Sequence, residues 1–269
     1  MYEGNPGPEF PGVSMSESFL GVPATSEWLF AAFVGASVAA AWIGIVAGAA
    51  GGLILIGLLA MVYPPSVFVP IHTFVQLGNG AGRTAMMWRY VLRGTLLPFG
   101  IGAVIGAAAG AKIFVALPTA ILQGLLGVFM LLVTWMPNMG RVGSEGRRFG
   151  VLGFVATFVG VFVSATGVLV APFVASASPD RRNHVSTLAA LMTLVHVCKL
   201  AAFSVLGFAM WPYAPLIVAM IAGALAGNWL GGITLDRMKE RDFRLIFKLV
   251  LTALALRLVW VAAKSQGWV

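Results

Sequence analysis

The sequence predicts an all-α polytopic membrane protein: about eight transmembrane helices in two homologous four-segment repeats, each with a glycine-broken first segment. Three observations carry this prediction. Hydrophobic residues make up 59% of the chain and charged residues 10%, with a mean hydropathy of +0.95, outside the soluble range. Apolar stretches of roughly the 20 residues needed to cross a bilayer as helix recur along the chain. The same order of glycine break, polar helix and small-residue helix occurs twice, as duplication would produce.

Residues 1–27 hold glycine, proline and glutamate without the basic start and small-residue cleavage site of a signal peptide, and read as a flexible tail. The first repeat, 28–139, opens with an apolar stretch from Trp28 to Val62 that contains "GIVAGAAGGLILIGL" at 44–58. Stretches from Val67 to Tyr90, Leu92 to Ala111 and Ile113 to Met139 follow. A polar basic loop at 140–148 separates the halves. The second repeat, 149–263, begins with Phe149 to Ser178, which contains "GVFVSATGVLVAPFVA" at 160–175, then runs through Val185 to Phe208, Trp211 to Leu235 and Phe243 to Val261. Gly44 to Leu53 matches Gly160 to Leu169, and "GAAAGA" from Gly106 aligns with "GALAGN" from Gly223.

Loop charge bears on orientation. Bases cluster near 89–93, 141–148, 181–182 and 237–248, while the connections at 63–67 and 207–213 have none. Eight plain crossings cannot put all four basic loops on one side, as the positive-inside rule prefers. They can if Phe149 to Ser178 enters and returns, which makes the repeats inverted. A parallel duplication with unequal loop charge is the competing account.

The net charge is +8, and the nine carboxylates are Glu3, Glu9, Glu17, Glu27, Glu145, Asp180, Asp236, Glu240 and Asp242. Each lies in the tail, at a helix end or in a loop, whereas Arg83, Arg89, Lys112, Lys199, His72 and His196 interrupt or border apolar stretches. An ionisable group inside a bilayer costs roughly 2.5 to 3.5 kcal/mol on insertion scales and tends to mark a pathway. The stems of Arg89 and Lys112 suit snorkelling to the interface, and Arg83 and Lys199 sit deeper in their spans. Cys198 is the single cysteine, which disfavours redox relays and thiolate metal sites. There is no HExxH, and without buried acids a catalytic constellation is missing, so neither enzyme activity nor a cofactor is expected.

His72, Gln76, Asn79 and Arg83 fall within an arc of about 60° on one helix face. Their imidazole, amide and guanidinium groups form a donor-rich stripe suited to an oxyanion; contact with polar groups of another helix is the plainer alternative. The corresponding helix offers Thr193, His196 and Lys199 on a looser stripe of about 120°. The breaks, with Gly51 and Gly52 in one half and Ser164, Thr166 and Gly167 in the other, let backbone unwind and expose N–H groups at a helix start, where anions bind. Close helix packing through small residues is the alternative, and it accounts better for Gly106, Gly110, Gly223 and Gly227.

The turn and apolar run "SATGVLVAPF", the duplicated set of about four helices and the "GAxxGA"-like third helix of each half resemble the TauE/SafE family of sulfite and organosulfonate exporters, over most of residues 30–262. The first half departs from the family pattern: Ile56 stands where the second half has Pro172, and His72 precedes the threonine typical of the next helix. The resemblance implies a small sulfur oxyanion, sulfite or an organosulfonate, as cargo. The expectation is a transporter in a bacterial-type inner membrane, an exporter of such an anion by alternating access, with the lipid bilayer as its other partner and no nucleic acid. A homodimer is compatible with it. An anion channel and a membrane assembly factor are the rival functions.

Overall fold

The structure is a computed structural model that describes residues 18–46, 51–135, 146–164, 166–177, 180–205, 210–234 and 240–265. The regular elements are α1 (Glu27–Val46), α2 (Gly51–Leu59), α3 (Pro65–Met86), α4 (Leu96–Ala116), α5 (Thr119–Trp135), α6 (Gly146–Val163), α7 (Gly167–Ala177), α8 (Arg181–Val205), α9 (Ala214–Thr234) and α10 (Glu240–Ser265). Helix satisfies every backbone group within one segment, which hydrocarbon requires. Among the described residues four helical stretches are long and apolar enough to cross a membrane: Glu27–Gly44, Arg93–Ala116, Arg182–Val205 and Trp211–Gly231. Thr119–Leu132 and Arg148–Val163 are shorter apolar helices. The outward side chains are apolar as well, including Ile101, Val104 and Ile105 on α4 and Val218, Leu225 and Trp229 on α9.

Each glycine-broken stretch is two helices. Gly51 opens α2 beside Ala40 of α1, where an added Cβ would collide with the Ala40 carbonyl oxygen. Eleven residues of continuous helix would hold these two positions about 16 Å apart. The chain therefore doubles back, and beyond α2 Tyr63 stacks on Phe33 at 5.7 Å and hydrogen-bonds Thr25 near the start of α1. Residues 47–50, with Gly48 of the predicted break, lie outside the described residues. In the other half α6 ends at Val163, Ser164 adopts a left-handed φ of 58°, and α7 begins at Gly167. Val170 and Val174 of α7 share a core with Phe149, Leu152 and Ala156 of α6, so this segment also doubles back on itself. Pro172 sits inside α7. Of the residues expected in the tail, 18–26 fold against the bundle: Val22 and Thr25 are buried, and Phe19 packs edge-on against Phe30 at 5.2 Å.

The helices pair between the halves. On α4, side chains at Gly102, Gly106 or Gly110 would meet the carbonyl oxygens of Gly150, Phe154 and Phe158 on α6. On α9, Gly223 and Gly227 face the carbonyls of Val34 and Val38 on α1, and Ser37 Oγ donates to the Met220 carbonyl at 2.7 Å. Both pairs run parallel, with backbones brought close by missing side chains. Antiparallel courses mark the other two pairs. Along α3 and α8, the His72 ring lies near that of His196, Thr84 near Thr193, and Leu92 N donates to Thr187 Oγ1. Between α5 and α10, Gly124 faces Ala262, Gly127 faces Ala255, and Trp135 Nε1 donates to Thr252 Oγ1 at 3.1 Å.

Candidate anion site

The α3–α8 pair stands between the two breaks and carries the buried polar groups. Lys199 is fully buried, and its Nζ donates to Ser164 Oγ at 2.5 Å. Thr73 Oγ1 donates to the Val69 carbonyl at 2.7 Å and lies 3.3 Å from Ser164 Oγ. With its own proton committed to Val69, Thr73 accepts from Ser164, and Ser164 in turn accepts from Lys199. This order is set by which groups can donate. Ser164 is the residue in the left-handed conformation, an arrangement that costs a non-glycine residue about 1 kcal/mol or more and tends to occur at functional sites. It places the serine hydroxyl in the break within reach of α3 and α8.

His72, also fully buried, approaches the Gly52 carbonyl with Nε2 at 3.0 Å. A carbonyl only accepts, so Nε2 carries the proton. Its Nδ1 has no hydrogen-bond partner, and neither has Nδ1 of buried His196, whose ring is edge-on to that of His72 at 6.4 Å. A Cβ on Gly52 would come within 2.6 Å of Gln76 Nε2, so Gln76 also reaches α2 at this point. Gly52 from one break and Ser164 from the other are thus joined through the adjacent residues His72 and Thr73.

The carboxylates with described side chains stand at helix starts: Glu27 opens α1 and Asp180 precedes α8. From Asp180 to Lys199 the rise along α8 is about 28 Å.

The predicted α3 stripe divides along its length. His72 and Gln76 meet Gly52, whereas Arg83 donates through NH2 to Asn228 Oδ1 on α9 at 2.8 Å. Asn228 Nδ2 donates to Asn79 Oδ1, and Asn79 Nδ2 to Gln76 Oε1 at 3.4 Å. Among the α8 residues, His196 and Lys199 join the cluster. Thr193 instead bonds the Ala189 carbonyl at 2.8 Å and packs against Gly80, a helix contact. Thr166 is buried and its carbonyl accepts from Leu169 N and Val170 N, which starts α7 with Gly167 in its first turn. Gly51 serves the approach of α2 to α1. Thr73 and Asn228 were absent from the sequence-derived set. Thr73 lies about 100° around the helix from His72, off the stripe, and Asn228 is a single amide in a small-residue motif, visible only as the asparagine ending "GALAGN".

Long apolar helices with apolar outward side chains around a buried polar cluster define a helical membrane protein. The family model for the sulfite exporter TauE/SafE matches residues 33–258, and the chain belongs to that family. It is an integral membrane protein of a transport family. No match was found among curated proteins or among solved structures.

Proposed function

We propose that the protein exports a small sulfur oxyanion, sulfite or an organosulfonate, by alternating access around the cluster of Lys199, Ser164, His72, His196 and Thr73. The observation that carries this reading is Lys199: a fully buried amine with a hydroxyl partner and the described carboxylates at helix starts. A buried ammonium needs compensation, and a mobile oxyanion supplies negative charge and several acceptor oxygens together. The α7 start adds backbone N–H groups and a positive dipole end beside Ser164. Family membership supports the sulfur-anion class.

Alternating access follows if α1–α5 and α6–α10 are inverted repeats. Supporting this, the parallel α1–α9 and α6–α4 pairs exchange under the equivalence, and α3–α8 and α5–α10 each pair a helix antiparallel with its counterpart. A two-fold axis in the membrane plane produces that pattern. The eight expected segments then become six crossings and two hairpins, α1–α2 and α6–α7. On that arrangement the connections α3–α4, α5–α6, α7–α8 and α9–α10, whose sequences carry the basic clusters, share one face, which charge makes the cytoplasmic face of a bacterial inner membrane.

The test is flux of sulfite and methanesulfonate in proteoliposomes containing the purified chain. A saturable, counterflow-competent flux is expected. Flux that rises linearly with concentration identifies a channel, and no flux of either anion contradicts the proposed cargo.

A further inference from the structure

We propose a second anion station at Arg83, Asn79 and Asn228, in series with the Lys199 cluster. The inference rests on the transport reading above for the identity of the anion. Arg83 is set apart from the central cluster by position: it lies in the last turn of α3, about 16 Å along the helix from His72. A guanidinium has five N–H donors and stays charged in proteins. Its NH2 donates to the neutral amide of Asn228, and its Nε is buried with no hydrogen-bond partner among the described residues. Asn228 donates onward to Asn79. Among the described side chains the surroundings therefore orient the guanidinium without neutralising it, and the unpartnered Nε–H can donate to one oxygen of an oxyanion.

Placement gives the station a role. The end of α3 leads directly to the basic connection, where the Arg89 and Arg182 guanidiniums lie over the Tyr90 ring at 4.7 and 5.5 Å. Arg83 stands between that face and the centre. From Asn79 the amides reach Gln76, beside Gly52 and His72. An anion arriving from the basic face meets Arg83 first, exchanges its oxygens along the amides of Asn79 and Gln76, and is delivered to Lys199. Two stations in series lower the barrier that a single deep site would present to a desolvated anion.

The test uses the purified full-length chain and equilibrium binding of radiolabelled sulfite, reading stoichiometry and affinity. Asn228→Asp is the informative variant, because it keeps the side-chain shape and gives Arg83 an internal carboxylate that competes with the anion. The wild type is expected to bind two anions per chain, Asn228→Asp and Arg83→Gln one, and Lys199→Met one. Thermal midpoints of Asn228→Asp at or above wild type would show that the fold is intact. One site in the wild type that is lost in Lys199→Met but unchanged in Asn228→Asp overturns the second station and leaves the transport reading standing. Two sites that both persist in Arg83→Gln and Asn228→Asp also overturn it. No binding in the wild type overturns both.

Discussion

Ser164 shows how one residue ties backbone to chemistry. Its left-handed φ and its bond from Lys199 have opposite consequences for substitution. Ser164→Gly removes the conformational cost, worth about 1 kcal/mol, and also removes the hydroxyl. Ser164→Ala removes the hydroxyl and keeps the cost. Denaturation in detergent should therefore find the glycine variant more stable than the alanine variant by about 1 kcal/mol, with both losing sulfite flux. Equal stabilities would mean that the backbone at 164 carries no strain. The sequence marked Ser164 as part of a break, and Lys199 as a deep base, without showing that they touch. Their contact depends on how far α7 returns along the bundle, which no local pattern encodes. The α3 stripe was legible as a helix face, yet its division between Gly52 and Asn228 was not, because those partners belong to other elements.

At the scale of elements, small residues set the pairing of α4 with α6 and of α1 with α9. Gly106 faces the Phe154 carbonyl, while a Cβ on Gly35 of α1 would meet nothing within 4 Å. One substitution type should then act with two signs. Gly106→Ala forces the backbones apart and should cost about 1 to 3 kcal/mol, as overpacking does. Gly35→Ala relieves backbone entropy and should be neutral or stabilising by up to about 1 kcal/mol. Midpoints of thermal unfolding in one detergent compare the two, and equal losses would refute the packing account of the glycines. Here the sequence was informative, since a glycine repeat every fourth residue on an apolar helix has close packing as its main physical use. Which helix supplies the opposing carbonyls was not legible.

For the whole molecule, the pairing directions and the basic connections make a joint prediction about sidedness. In a Cys198→Ala background, single cysteines at Arg89, Gly143, Arg182 and Lys239 should all label from one side of the membrane, and one at Trp211 from the other. Labelling of positions 89 and 182 from opposite sides would contradict the antiparallel α3–α8 pair. The break in the second half was legible in the sequence, since Ser164 and Gly167 stand where α6 gives way to α7. The return in the first half was hidden within an apolar stretch from Trp28 to Val62, long enough to read as one crossing.

The central claim is that Lys199 holds the transported anion, and stability and transport respond to its removal in opposite ways if that is so. Replacing a buried charge by an apolar side chain of similar length relieves desolvation, so Lys199→Met should be at least as stable as the wild type. Loss of a charge-assisted contact should lower the sulfite flux about ten- to a hundred-fold. The measurement is sulfite flux into proteoliposomes at equal reconstitution, with the thermal midpoint of the same preparations. Lost flux with an unchanged or raised midpoint is the predicted result. Wild-type flux in Lys199→Met would contradict the account.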